Sequence, residues 1–271
     1  MRDRTPVRIL SRGGWGVLFE KRLRPDVRRD VHRHREAAFT LTVGGSYLEE
    51  FETGAAQDVV AGRVQFKTAG IPHTTCGGPD GALLWILAPA DAAMGASPAA
   101  VTAGPDVATA RMLALHDAAA SRDAAQADVH ARRLAAHLAA TMTAPGQRPG
   151  PRWLDAVAAH QAKELDRPHS LAEVAANFDV HPIYLARAFR ARFGCSPGAY
   201  RRLSRIDLAI RRMWDGATNL AGLAGELGFA DQSHFTRVFR RHAGVSPARF
   251  QRWAGARREV PIVQDGDRPV P

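Results

Sequence analysis

The chain has 271 residues, 37 Lys and Arg against 27 Asp and Glu, a formal net charge of +10 and only two cysteines, Cys76 and Cys195. No apolar run reaches the eighteen or so residues a membrane span requires, the charged N-terminal stretch lacks a secretory core, and two cysteines build neither a disulfide framework nor a four-thiolate zinc site. A soluble cytoplasmic chain of two domains with no membrane partner is the expectation, of α+β multidomain class.

From Gly13 to about Pro89 short alternating segments, AFTLTV (Ala38 to Val43), GSYLEEF (Gly45 to Phe51), GRVQFKT (Gly62 to Thr68) and ALLWIL (Ala82 to Leu87), are separated by glycine-containing turns. Such spacing predicts a small antiparallel β-barrel or sandwich over residues 1–95. His32 and His34 precede one predicted strand, and His73 follows Gly70-Ile-Pro72 at the end of another. Three imidazoles are enough for a metal if they converge. They also serve as packed, hydrogen-bonded or ligand-contacting side chains, and no metal or cofactor is expected.

Residues 105–143 are alanine-rich, with Met112, Leu113, Leu115, Val129, Leu134, Leu138 and Met142 at helical spacings. Two helices separated near Ser121-Arg-Asp123 are predicted, either a dimerisation element or an intramolecular hairpin. His116, His130 and His137 are expected at the surface. The stretch Ala144 to Pro151, rich in proline and glycine, reads as a domain boundary.

Beyond it, over 152–256, the chain repeats itself. YLARAFRARFGCSPGAY (Tyr184 to Tyr200) and HFTRVFRRHAGVSPARF (His234 to Phe250) match at Arg187/Arg237, Phe189/Phe239, Arg190/Arg240, Gly194/Gly244, Ser196/Ser246, Pro197/Pro247 and Tyr200/Phe250. One residue out of phase, Leu171, Val174 and Phe178 precede the first copy and Leu220, Leu223 and Leu227 the second, each set one apolar helical stripe. Ser170 with Glu173 reads as a capping box, Asn219 as an N-cap facing Gly222 rather than an acid, and Ala175 and Ala224 as small positions where a second helix crosses. His181-Pro182 and Asp231 open the second helix of each pair. Leu185, Ala188 and Phe189, or Phe235, Val238 and Phe239, turn inward. Ile183, Tyr184, Ala186 and Arg187, or Gln232, Ser233, His234, Thr236 and Arg237, lie at or beside the outward face.

Helix, tight turn and helix with a polar leading face make a helix-turn-helix, whose second helix enters a major groove. Gly194 and Gly244 allow a left-handed C-cap, and each Ser-Pro starts a further helix. The one after the first copy carries Tyr200, Leu203, Ile206, Ile210 and Met213 on one face and Arg201, Arg202, Arg205, Arg211 and Arg212 elsewhere, and reads as the link between two motifs. Between residues 151 and 258 there are 18 basic and 9 acidic residues, the excess expected where phosphates are bound. The last residues, 257–271, read as a flexible tail.

Residues 156 to 254 resemble the DNA-binding domain of the AraC/XylS family of bacterial transcription regulators, through the two helix-turn-helix units, their offset and the closing GFADQSHFTRVFRRHAGVSPARF (Gly228 to Phe250). The resemblance implies an all-α tandem helix-turn-helix domain that binds double-stranded promoter DNA, with RNA polymerase as a further partner. It places base-reading side chains at Ile183, Ala186 and Arg187, then at Gln232, Ser233, His234, Thr236 and Arg237, with Arg190 and Arg240 beside them. Ile183 and Ala186 depart from the more polar forms of the pattern; they can touch thymine methyls or fill space.

Residues 15 to 90 resemble the cupin-like sensor domain carried by many such regulators. That implies a small-molecule effector near His32, His34 and His73, a helical linker or homodimerisation segment after it, and a non-enzymatic protein. A metal-dependent cupin enzyme with a DNA-binding appendage is the alternative. The glutamate that a metal-binding cupin carries three or four residues after the second histidine is absent, Ala38 and Phe39 standing there.

Overall fold

A computed structural model describes residues 7–90, 100–103, 106–142, 150–163, 165–167 and 169–256. Most of the expected boundary at 144–151 and the whole tail at 257–271 lie outside the described residues. Two compact units are present, one holding the sheet and the first helix, the other the helices of the repeat.

The first unit is an antiparallel sheet of β1 (Val7–Gly13), β2 (Gly16–Leu23), β3 (Ala38–Phe51), β4 (Ala56–Val60), β5 (Val64–Lys67), β6 (His73–Pro89) and β7 (Ala100–Ala103). The strand order is β1-β2-β6-β3-β5-β7, with β4 also on β3. AFTLTV and GSYLEEF, expected as two strands, are one: Gly44-Gly45 is not a turn but an irregularity within β3 in its pairing with β6. Gly45 takes φ 68° there, a conformation glycine adopts without steric cost. His73 opens a strand rather than closing one.

Alternation gives the sheet two faces. Phe39, Leu41, Phe66, Leu83, Trp85 and Leu87 are buried on one, where α1 (Val107–Ala120) packs: Thr109 Oγ1 donates to the Gly62 carbonyl at 2.8 Å, and His116 stacks on Trp85 at 3.8 Å. His116 is thus a packed residue, not the surface one expected. The opposite face carries Leu23, Tyr47, Leu84 and Ile86, with Phe19 and Ala38 against them. After a turn with Arg122 at φ 57°, α2 (Ala124–Met142) follows, so the expected break near 121–123 is present. Leu134 is buried, whereas Val129 is exposed.

The second unit contains α3 (Trp153–Lys163), α4 (Leu171–Asn177), α5 (Pro182–Phe193), α6 (Pro197–Trp214), α7 (Leu220–Glu226) and α8 (Gln232–Ala243), and runs into α9 (Pro247–Ala256). Leu154, Val157, Val174, Ala175, Leu185 and Phe189 form the core of its first half. Phe235, Phe239 and Phe250, with Leu223 and Ala224, are buried in its second.

Arg201 and Arg205, expected away from the apolar face of α6, are buried and half-buried, and Arg192 on α5 is buried too. Arg192 Nη2 donates to both carboxylate oxygens of Asp155, at 2.7 and 2.9 Å. Arg205 donates to the Leu165 carbonyl at 2.7 Å and the Gly228 carbonyl at 3.0 Å. These guanidinium groups tie loop carbonyls and a carboxylate to the helices, and their long stems pack with apolar neighbours. Part of the positive charge counted between 151 and 258 therefore holds the fold.

Candidate functional site

In the second unit, the first helix of each pair, α4 and α7, is set by its N-cap. The Ser170 hydroxyl accepts from Glu173 N at 3.1 Å while Glu173 accepts from Ser170 N at 2.6 Å, the reciprocal box expected; Glu173's carboxyl is held below its usual range first by that backbone bond. Asn219 caps α7 through Gly222 N at 2.9 Å, with no reciprocal acid.

The turns run in parallel: Val180 N donates to the Ala175 carbonyl at 3.1 Å and Phe229 N to the Ala224 carbonyl at 3.0 Å. Those pairs are 49 residues apart, while His181 and Asp231, the N-caps of α5 and α8, are fifty apart. Ala230 is the extra residue and accounts for the phase slip seen in the sequence. Gly194 and Gly244 end the two helices at φ 69° and 86°.

Burial along α5 and α8 matches turn by turn. Leu185 and Phe189, like Phe235 and Phe239, are buried; Arg187 and Arg190, like Arg237 and Arg240, are exposed; Ala186 and Thr236 are half-buried. Gln232 and Ser233 are exposed, and His234 is half-buried with its ring edge-on to Phe229 at 5.5 Å. On α5 the equivalent leading positions are apolar: Ile183 is 72% exposed and Tyr184 45%. With Leu171, Ala186 and the stems of Arg187 and Arg190, Ile183 lines a shallow apolar groove. Two exposed helix faces carrying arginine at one shared position, one otherwise apolar and one polar, can each enter a major groove.

In the first unit, His32, His34 and His73 do come together, with one ring nitrogen of each within 4.8 Å of the others. The segment ahead of β3 lies along the start of β6, since His32 and His73 exchange backbone bonds at 3.0 and 3.1 Å. His32 Nδ1 bonds the Asp30 carbonyl and His73 Nδ1 the Ile71 carbonyl, each at 2.9 Å. The Nε2 of each is therefore the lone-pair nitrogen.

Behind His73 stands a buried polar group that sequence reasoning missed. Glu49 is 0% exposed; one oxygen accepts from Lys67 Nζ and the other from Gln65 Nε2. Tyr47 OH donates to Gln65 Oε1 at 3.2 Å, and Lys67 Nζ donates to His73 Nε2 at 3.0 Å. The local signal was the alternation that puts Tyr47 and Glu49 on one face of β3 and Gln65 and Lys67 on one face of β5.

The electrostatics follow from burial. Burial lowers Lys67 from the usual lysine range, with Glu49 opposing. Burial first, then the Lys67 charge, lowers His73 to about 4. His34 is exposed as a residue, yet desolvation of its ring in the cluster, followed by Lys67, lowers it to about 3. Burial, then Glu49, keeps the Tyr47 phenol protonated. The three imidazoles are a conceivable ligand set for a metal, but the Lys67 ammonium already occupies the His73 lone pair that an ion would need. Glu49 likewise has both oxygens engaged. As arranged, the residues fit a metal poorly.

The three histidines and Lys67 border a cavity of about 430 Å³ on the face of the sheet opposite α1, floored by Phe19, Leu23, Leu84 and Ile86, within the size range of small-molecule sites.

Fold and reading faces together define a chain with a sheet domain and a tandem helix-turn-helix region. Residues 174–252 match the family described as a helix-turn-helix domain. A probable transcription factor of Proteus vulgaris, PqrA, is 32% identical over 68 residues, 25% of this chain and 56% of that protein. The arabinose operon regulatory protein of Escherichia coli (strain K12) is 32% identical over 95 residues, 35% of this chain and 32% of that protein. The chain thus spans about a third to a half of the length of these curated relatives.

Among solved structures, unsaturated fatty acid-bound ToxT from Vibrio cholerae is similar with a TM-score of 0.39 at 12% identity, over 89% of this chain and 96% of that one. The DNA-binding domain of AdpA in complex with a target DNA has a TM-score of 0.38 at 26% identity, over 41% of this chain and 98% of that one. The C-terminal region thus matches a helix-turn-helix domain and is similar in sequence to part of the arabinose operon regulatory protein.

Proposed function

We propose that the chain is a sequence-specific transcription regulator. α5 and α8 read successive major-groove segments of promoter DNA, and a small molecule in the sheet cavity shifts the balance between DNA-competent and incompetent arrangements. The observation that carries the reading is the matched exposure of α5 and α8, with Arg187 and Arg237 at one shared position. The 18 residues of α6 extend about 27 Å at roughly 1.5 Å each, which suits a link between grooves spaced by about 34 Å. In this reading Ile183, Ala186, Arg187, Gln232, Ser233, His234, Thr236 and Arg237 meet bases, Arg190 and Arg240 meet phosphates, and α1 with α2 serves self-association. Its action on transcription runs through RNA polymerase, in the cytoplasm.

Selection of bound duplexes from a random library tests the reading. Recovery of two half-sites about one helical turn apart, roughly 10–10.5 base pairs centre to centre, is the expected result. Absence of any enriched sequence overturns it.

A further inference from the structure

We propose that the pocket between α3, α4, α6 and α8 receives a backbone phosphate of the DNA lying between the two half-sites, and that Arg202 is the side chain that meets it. The linking helix is then part of the DNA interface rather than a spacer alone. This rests on the reading of the second unit as a tandem DNA reader, and goes beyond it by naming a third contact between the two reading helices.

The pocket, of about 430 Å³, lies wholly within the second unit. Pro197, Gly198, Arg201, Arg202 and Arg205 face it from α6, at the i, i+1, i+4, i+5 and i+8 spacing of one side of a helix. Two further walls belong to the two reading motifs. Leu171, which opens α4, lines this pocket and also the shallow groove beside Ile183 and Arg187. His234, in the first turn of α8, lines it from the other motif. The pocket therefore opens between the two exposed faces. When two helices enter successive major grooves on one side of a duplex, the minor groove and the strands that border it cross between them. Phosphates follow one another about every 3.4 Å along each strand, so the backbone crossing there carries one over the pocket.

Three guanidinium groups line the pocket, and among the described residues no Asp or Glu does. Two of the three serve the fold: Arg201 is buried, and Arg205 holds the Leu165 and Gly228 carbonyls with the Asp166 carboxylate near it. Arg202 differs. It is exposed and makes no ion pair or side-chain hydrogen bond among the described residues. A Cβ on Gly198 would lie 3.7 Å from its Nη1, so the guanidinium rests over the first turn of α6, at the pocket's edge, with its planar fork of donors available to a phosphate. The repeat does not by itself demand this charge. Fifty residues on, α9 carries Gln251, Arg252 and Gly255 at the places of Arg201, Arg202 and Arg205, and Gln251 there holds the Ala217 and Thr218 carbonyls.

Binding of the full chain to a selected duplex and to random duplex across a series of salt concentrations tests this, together with selected duplexes in which one spacer phosphate at a time is replaced by an uncharged methylphosphonate. Arg202→Gln weakens binding about fivefold on both kinds of DNA, and lowers the slope of log affinity against log salt by about 1. Arg202→Lys keeps the slope. Arg211→Gln, exposed on the same helix and on its opposite side at about 3.6 residues per turn, keeps both affinity and slope. In the parent, one methylphosphonate in the spacer costs about the same fivefold; in Arg202→Gln that replacement costs nothing further. Parental affinity and slope in Arg202→Gln, an equal loss in Arg211→Gln, or an undiminished methylphosphonate loss in Arg202→Gln overturns the proposal. So does a loss that depends on A·T against G·C pairs in the spacer, which marks a minor-groove contact. A selected site bound without any coupled spacer phosphate removes this contact alone; absence of any selected site removes the regulator reading.

Discussion

Arg187 and Arg237 stand at the same place on two helices fifty residues apart, both exposed, each two residues after a fully buried core side chain, Leu185 or Phe235, and two before another, Phe189 or Phe239. What surrounds them differs: Ile183 and Tyr184 on α5, Gln232 and Ser233 on α8. Hydrogen-bonding side chains discriminate among four base pairs, while apolar ones separate chiefly those that offer a thymine methyl. The α8 half-site should be specified at more positions than the α5 half-site. Competition with singly substituted duplexes checks this, each α8 mismatch costing about 1–3 kcal/mol; equal costs across both half-sites contradict it.

The two turns reach the same backbone conformation with different residues, Asp179 at φ 50° and Gly228 at φ 69°. A Cβ at Gly228 would lie 2.5 Å from the Asp166 carbonyl oxygen. Gly228→Ala therefore combines left-handed strain of about 1–2 kcal/mol with that clash, whereas Asp179→Gly stays within about 0.5 kcal/mol of the parent. Chemical unfolding of both variants measures the difference, and equal stability of the two refutes the argument.

Glu49 and Lys67 form a buried ion pair, with side chains 0% and 10% exposed. Glu49→Gln leaves the ammonium without its counter-charge and should cost about 3–5 kcal/mol. Glu50→Gln, which breaks the exposed pair with Arg28, should cost no more than about 1 kcal/mol. Urea unfolding followed by tryptophan fluorescence compares them; similar midpoints for the two variants speak against the buried pair.

The pH dependence of the sheet domain has a definite sign. His73 has a pKa of about 4 in the fold against about 6.5 in an unfolded chain, so the unfolded state binds the proton first. The stability contributed by the neutral ring is complete above about pH 6.5 and is lost as pH falls toward 4, with a slope of up to about 1.4 kcal/mol per pH unit for one group. His32, His34 and His130 are shifted in the same direction. Unfolding measured between about pH 7.5 and pH 5 should show falling stability; a flat or rising profile is the contrary result.

Local signals were legible in the sequence and long-range ones were not. The capping box at Ser170, the glycine ends at Gly194 and Gly244 and the inward Phe189 and Phe239 depend on neighbours within a turn or two, so residue spacing reveals them. The three histidines were also marked by short motifs. Glu49 escaped because its partners, Gln65, Lys67 and His73, reach it across strands whose register the sequence does not display. Arg201 and Arg205 were placed away from the apolar face because an arginine on an amphipathic helix looks solvated until its neighbours across the fold are seen. Gly44-Gly45 looked like a turn, and only the pairing of β3 with β6 shows that the strand continues through it.

Binding of Arg187→Ala and Arg237→Ala to a selected site and to random duplex, at one salt concentration, tests the central claim most directly. Each variant should lose about 1–3 kcal/mol on the selected site, with specificity relaxed at its own base position and little change on random DNA. Equal loss on selected and random DNA, marking both arginines as phosphate contacts, would contradict the account.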